Sequence, residues 1–330
     1  MKKIVVLFLL YGVMTSLLSC ARVTSHSRSF FVMDTVVTVT LYSSDEKAAE
    51  AALTAARAHL EELDALWSRH RQDSEIFRVN ASATGCDGLD ARTVSLLKKV
   101  QAIHHATDGC FDITLAPVSD LWNSCASIDR LPTDSELAEA LLCTGGDRFT
   151  VSDTSITKPD GMALDLGGIG KGEAISSLIA RLRCESISGG LVSFGSNVAV
   201  FGSKPDGAPF RIALRDPKQT DSTVGKLILP TNAVLSVSGD YERFVTINGE
   251  RYHHILDPAD GRPAQSGLSS VAVVCRDGGL ADALSTALLV MGLDRALAFY
   301  DSGIYEFEAI FITSDGQIRK TSPAVEFTPS

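Results

Sequence analysis

The segment Asp165-Leu-Gly-Gly-Ile-Gly-Lys171-Gly-Glu173 constrains this chain more than any other. Its glycines allow a close approach to a neighbour or a ligand, with positive φ available at little cost. The run that follows reads as a helix, and a helix start presents unpaired N–H groups and about half a positive charge to an anion. Lys171 adds a full charge. Phosphate binding is the chemistry this combination suits, yet two known phosphate loops do not fit. A Walker loop needs a hydroxyl residue after its lysine, and here Gly172 follows. The dinucleotide fingerprint needs glycines at a spacing that is absent. Read alone, the segment is equally an ordinary glycine-rich turn between strand and helix.

The N-terminus points to a compartment. Lys2 and Lys3 precede an apolar run from Ile4 to Leu18, then Ser19 and Cys20. That pattern is a signal peptide, too short and wrongly flanked for a membrane span. Leu17-Leu18-Ser19-Cys20 resembles a bacterial lipobox. Residues 1–19 are therefore expected to be removed, Cys20 to be lipidated, and residues 20–29 to form a polar tether ahead of a globular body at 30–330. Export with a lipid anchor, facing the periplasm, is the expected location; a soluble secreted form is the alternative. The formal charge of −10 becomes more negative once Lys2 and Lys3 are lost, which disfavours nucleic acid as a partner. An acidic protein that takes a phosphorylated ligand needs metal or local cations at its site. Hydrophobic residues make up 45% of the chain, enough for a sizeable core, and no linker or repeat divides it. The cysteines beyond Cys20 show no CxxC spacing, so disulfides and buried thiols both stay open.

Helix and hairpin signals are interspersed. Phe31–Leu41 is rich in valine and threonine and reads as a strand. Ser43 and Glu46 form a capping-box pattern ahead of an alanine-rich helix, with Leu53, Leu60, Leu63 and Trp67 on one stripe. Val94, Leu97, Val100 and Ile103 mark a second helix. Strand-like runs follow at 191–201, 210–214, 233–237 and 271–275, and Gly279–Met291 reads as a buried helix ending at Gly292. Asn248-Gly249 and Asp315-Gly316 are two-residue hairpin signals. This mixture predicts a single compact α+β domain with mixed or antiparallel sheets and packed helices, rather than a doubly wound parallel sheet.

Two further clusters carry chemistry. Asp282, Ser285 and Thr286 lie three and four residues apart, which on a helix puts them on one face. A carboxylate and two hydroxyls are hard oxygen ligands suited to magnesium; capping and back-bonding roles near a helix start are the alternative. In His253-His254-Ile-Leu-Asp257-Pro258 the paired histidines sit on adjacent strand positions, so only one addresses a given site. Zinc is improbable there, with no further soft ligand nearby. Asp257-Pro258 followed by Gly261 is a turn.

The segments FVMDTVVTV, SRHRQDSEI, GCFDITLAPVSDLW, LDLGGIGKGEA, LVSFGSN, SVSGDYERF, HHILDPADGRP and ADALSTALLVMG, in this order, resemble the ApbE family of FAD:protein FMN transferases. The resemblance spans nearly the whole chain after the signal peptide. It implies an enzyme that binds FAD and Mg2+ and moves FMN onto a threonine or serine hydroxyl of an acceptor protein, releasing AMP. Implied acceptors are respiratory-complex subunits or extracytoplasmic flavoproteins. By motif, Met33, Cys110, Phe111 and Asp112 are expected to line the flavin pocket, and Asp165 and Lys171 to hold FAD, the lysine near the pyrophosphate. Leu256 is expected to contribute through its backbone, with Ser238 and Gly239 close to the nucleotide. The Gly168 carbonyl is expected to join Asp282, Ser285 and Thr286 around magnesium. Asp165 is also a candidate base for the acceptor hydroxyl.

His70 departs from the family pattern, which often carries tyrosine there. Stacking on the flavin is its expected role, although histidine can also move a proton. Some relatives with a different residue here hydrolyse FAD to FMN and AMP instead of, or alongside, protein flavinylation, so an FAD pyrophosphatase at the same metal site is the second functional reading. A flavin-binding carrier lipoprotein is the third, and the metal residues argue against it.

Overall fold

Alternating apolar residues build the frame of the molecule. The computed structural model describes residues 22–183, 186–219, 221–323 and 326–330. The expected signal peptide and the expected lipidation site at Cys20 lie outside the described residues. Eight strands, β1 (Thr24–Val32), β2 (Thr35–Ser43), β3 (Gly189–Phe194), β4 (Asn197–Gly202), β5 (Val234–Gly239), β6 (Leu268–Cys275), β7 (Glu308–Thr313) and β8 (Ile318–Lys320), form one sheet in that spatial order. Every neighbouring pair is antiparallel. Val37, Val39, Leu41, Val271 and Val273 point into one core, while Tyr42, Ala272 and Val274 point into another. With both faces covered, the central strands read as nearly continuous apolar runs.

The helices are α1 (Glu46–Trp67), α2 (Glu75–Ala81), α3 (Ala91–Ala106), α4 (Ala116–Ala126), α5 (Asp134–Leu141), α6 (Gly170–Leu182), α7 (Gly278–Met291) and α8 (Leu293–Asp301). One sheet face carries α1 against β1 and β2, α6 against β3 to β5, and α7 against β5 and β6. The other face is covered by a three-stranded sheet of Phe210–Arg215, Thr223–Leu229 and Phe327–Pro329. A third cluster, with Val118 and Trp122 of α4, Leu137 of α5, and Ile247 and Leu256, packs a small hairpin against the rest. No helix among the described residues is long and apolar enough to cross a membrane.

The expected α+β fold with antiparallel sheets is observed, and several local expectations change. Residues 24–29 are not a tether: they are strand β1, paired with β2 from Thr24↔Ser43 to Val32↔Thr35. Their serines and arginine read as loop because β1 is an edge strand with a solvent face. Phe31–Leu41 is not one strand, because Met33 and Asp34 turn the chain with φ of 49° and 57°. The 191–201 run likewise divides at Gly195, φ 61°. The cap of α1 is Asp45, whose carboxylate accepts from the Ala48 N–H at 3.0 Å, instead of Ser43. Asn248-Gly249 makes the expected two-residue turn, but Asp315-Gly316 belongs to a longer loop closed by Thr313 and Gln317. Cys86, Cys110, Cys125, Cys143 and Cys275 are free thiols; Cys184 lies outside the described residues.

Candidate active site

The glycine loop and the acidic helix, 110 residues apart in sequence at Gly172 and Asp282, meet in space. Their contact is backbone on backbone. A Cβ on Gly172 would lie 2.0 Å from the Gly278 carbonyl oxygen, and one on Gly278 would lie 2.3 Å from the Gly172 carbonyl oxygen. Only glycine permits that crossing of α6 and α7. It allows the Gly172 N–H to donate to Asp282 Oδ2 at 2.9 Å. On the loop above, a Cβ on Gly168 would stand 3.2 Å from the Phe111 ring and 3.8 Å from Thr286 Oγ1.

Strand β5 completes this corner. Ser236 and Ser238 alternate onto the face that meets α7, and their spacing of two matches the three-and-four spacing of the helix. Ser236 donates to Asp282 Oδ1 at 3.1 Å; Ser238 lies 2.7 Å from Ser285 Oγ and 3.2 Å from Thr286 Oγ1. Asn197, at the start of β4, donates weakly to Asp282 Oδ1 at 3.4 Å, and its own Oδ1 is buried without a partner. Asp282 is 4% exposed and has neutral donors only, with no ion pair among the described residues. A buried carboxylate without a cation is costly. Together with the hydroxyls and the orphaned amide oxygen, it matches the hard-oxygen chemistry of Mg2+. No trio of His, Cys, Asp or Glu gathers for a metal among the described residues, which a set of one carboxylate, hydroxyls and carbonyls does not require.

These groups border a cleft of about 640 Å³, large enough for a dinucleotide. Met33, His70, Cys110, Phe111, Asp112, Asp165, Gly168, Lys171, Ser238, Gly239, Leu256, Asp282 and Thr286 all line it. Ser285 does not; it is fully buried beneath the surface. The Asp112 carboxylate is consumed in shaping its loop, accepting from Thr114 N–H and Oγ1 at 2.7 and 2.6 Å and from Gly146 N–H at 3.1 Å. Burial pushes the Cys110 thiol up, which makes it a wall and not a nucleophile. Lys171 Nζ donates to the Gly167 carbonyl, and Leu256 is set by a backbone bridge to Pro263. His70 is exposed at the rim.

Two cleft residues gain importance that the sequence reading did not give them, Arg69 unremarked there and His254 named only as one of a pair. Arg69, in the segment after α1, reaches Asp165 Oδ2 at 3.2 Å and pairs with Asp120 of α4. Asp165 Oδ1 accepts the Gly167 N–H at 2.8 Å, so both its oxygens are engaged. His254 is the other. Its Nδ1 lies 2.9 Å from the Arg243 carbonyl oxygen, which can only accept, so the proton sits on Nδ1 and the Nε2 lone pair has no partner among the described residues. The ring lines the cleft with one side open to solvent. Enclosure by the cleft walls, then the charges of Arg243 and Lys171, outweigh that hydrogen bond and hold its pKa at about 4. The adjacent His253 instead turns Nε2 to the Ala264 carbonyl at 3.1 Å. The expectation that only one of the pair addresses the site is overturned: both residues border the cleft, because the strand ends at His253 and His254 lies beyond its alternation.

Known proteins share this fold. Residues 33–311 match the model of the ApbE family. A Vibrio cholerae protein named FAD:protein FMN transferase is 31% identical over 262 residues, covering 78% of this chain and 78% of its own. A Treponema pallidum protein of the same name is 29% identical over 327 residues, covering 93% and 89%. The apo crystal structure of Pseudomonas stutzeri flavinyl transferase ApbE superposes with a TM-score of 0.77 at 28% identity, over 93% of this chain and 95% of that one. An ApbE protein structure from Thermotoga maritima gives 0.79 at 29% identity, over 90% and 97%. With the family model spanning most of its length and the fold shared throughout, this chain belongs to the ApbE family.

Proposed function

We propose that this chain transfers the FMN half of FAD to a threonine or serine hydroxyl of an acceptor protein, forming a phosphoester and releasing AMP. The observation that carries this reading is the meeting of the Lys171 loop with the Asp282 face of α7 at one dinucleotide-sized cleft. Asp282, Thr286 and the Gly168 carbonyl would hold Mg2+, with Ser285 buried beneath them and bonded to Ser238 and the Asp282 carbonyl; the ion when bound neutralises diphosphate charge and polarises the phosphorus under attack. Lys171 exchanges its carbonyl partner for the diphosphate and steadies the charge on departing AMP. Phe111 and Met33 wall the flavin end. Asp165, locked by Arg69 and the Gly167 N–H, serves to orient the nucleotide. His254 Nε2 is the group free to take the acceptor proton as the hydroxyl oxygen bonds to the FMN-side phosphorus and the bond to AMP breaks. The base assignment thereby moves from Asp165 to His254.

The acceptor belongs to the class of extracytoplasmic flavoproteins or respiratory-complex subunits, reached from a lipid anchor at Cys20. Water competes with the acceptor hydroxyl where the exposed His70 leaves the rim open. Incubation with FAD, MgCl2 and a candidate acceptor, followed by flavin fluorescence of the denatured acceptor on a gel, tests transfer. Fluorescent acceptor supports it; free FMN and AMP alone indicate hydrolysis; unchanged FAD indicates a carrier. Asp282→Ala is expected to lose both chemistries, and full activity in that variant would refute the metal assignment.

A further inference from the structure

Behind the cleft, where α6 and α7 begin, one lysine of a third helix joins both. Lys99 of α3 places its ammonium 2.6 Å from Glu173 Oε2, in the first turn of α6, and 2.9 and 3.2 Å from Asp277 Oδ2 and Oδ1, the N-cap of α7. Around it, the Gly278 N–H donates to Ser176 Oγ at 2.7 Å, and Asp277 Oδ1 accepts the Leu280 N–H at 3.0 Å. The ammonium and Glu173 are both largely enclosed, with side chains 28% and 25% exposed. Glu173 lies two residues beyond Lys171, and Asp277 lies just over one helical turn before Asp282. Two carboxylates that share one ammonium stand close together and repel without it. That repulsion would act at the Gly172–Gly278 crossing, which sets how near Gly168 comes to Thr286.

We infer that Lys99 is a positioning residue that holds the lysine loop and the acidic helix at the separation needed to grip Mg2+ and the diphosphate together, without touching either. This rests on the magnesium reading above. Thermal unfolding of the purified protein with FAD, titrated with MgCl2, tests it beside the Mg2+ dependence of FAD turnover. In Lys99→Met the Mg2+ concentration giving half of the stabilisation, and half of the turnover, is expected to rise about tenfold, while kcat at saturating Mg2+ stays near that of the native protein. Lys99→Arg should restore most of the affinity. Adding Glu173→Gln to Lys99→Met should recover part of it by removing the repulsion. A lysine that only stabilises the fold would lower the metal-free melting temperature and leave the Mg2+ midpoint in place, which overturns the inference. Failure of the native protein to respond to Mg2+ at all would instead overturn the magnesium reading.

Discussion

At the residue scale, the roles of Asp165 and His254 separate through what their side chains already hold. Asp165→Asn is expected to weaken FAD binding and keep turnover at saturating FAD. His254→Gln should keep FAD binding and lower kcat by about 10²- to 10⁴-fold, read by steady-state kinetics with an acceptor. The pH dependence carries a sign. An unfolded histidine protonates near 6.5, whereas His254 in the fold protonates at about 4. The unfolded chain therefore binds more protons between these values, and stability is lost as pH falls through that window. The acid limb of kcat/KM should lie near 4, and His254→Gln should remove it together with part of the slope of melting temperature against pH. Residue types and motif order made Lys171, Asp282 and Thr286 legible in the sequence. Arg69 was not legible, because its partners Asp120 and Asp165 lie far along the chain and only folding brings them together.

Among elements, the crossing of α6 and α7 has the least tolerance. Gly172→Ala places a methyl against the Gly278 carbonyl and should cost about 1–3 kcal/mol or more through forced separation, with Mg2+ binding lost along with stability. Denaturant unfolding and a Mg2+ titration measure the two effects. Strand β1 gives a contrasting test. Deleting residues 24–29 would be harmless if they were a tether. As a paired strand, their loss exposes the edge of β2, and the truncated protein should aggregate or melt earlier, seen by size-exclusion chromatography and calorimetry. The helices were largely legible because their apolar stripes repeat over several turns. Turns were less so: Met33 and Asp34 adopt positive φ without glycine, and nothing in a valine-threonine run announces that. Trp122 shows how a turn can depend on a distant element. Its indole N–H donates to the Gly261 carbonyl at 2.8 Å, fixing the loop after Leu256, and Trp122→Phe should cost about 1 kcal/mol by thermal denaturation.

For the whole molecule, the site is a seam between chain segments that enter the sheet early and late. A ligand that bridges them should stabilise the fold by more than a surface ligand confined to one segment. FAD with Mg2+ is expected to raise the melting temperature well above either alone, with a gain of about 2.7 kcal/mol once free ligand reaches a hundred times its dissociation constant. The sequence by itself determined the kinds of element, the α+β class, the glycine–lysine loop and the oxygen-rich face of one helix, since these depend on short-range periodicity and on residue chemistry. Which carbonyl each of the paired histidines bonds, what engages Asp165, and how nearly Gly168 approaches Thr286 were decided only by the tertiary structure. Those are distances between atoms remote in the chain, and they are set by a glycine-to-glycine crossing and a sheet register that no local pattern encodes.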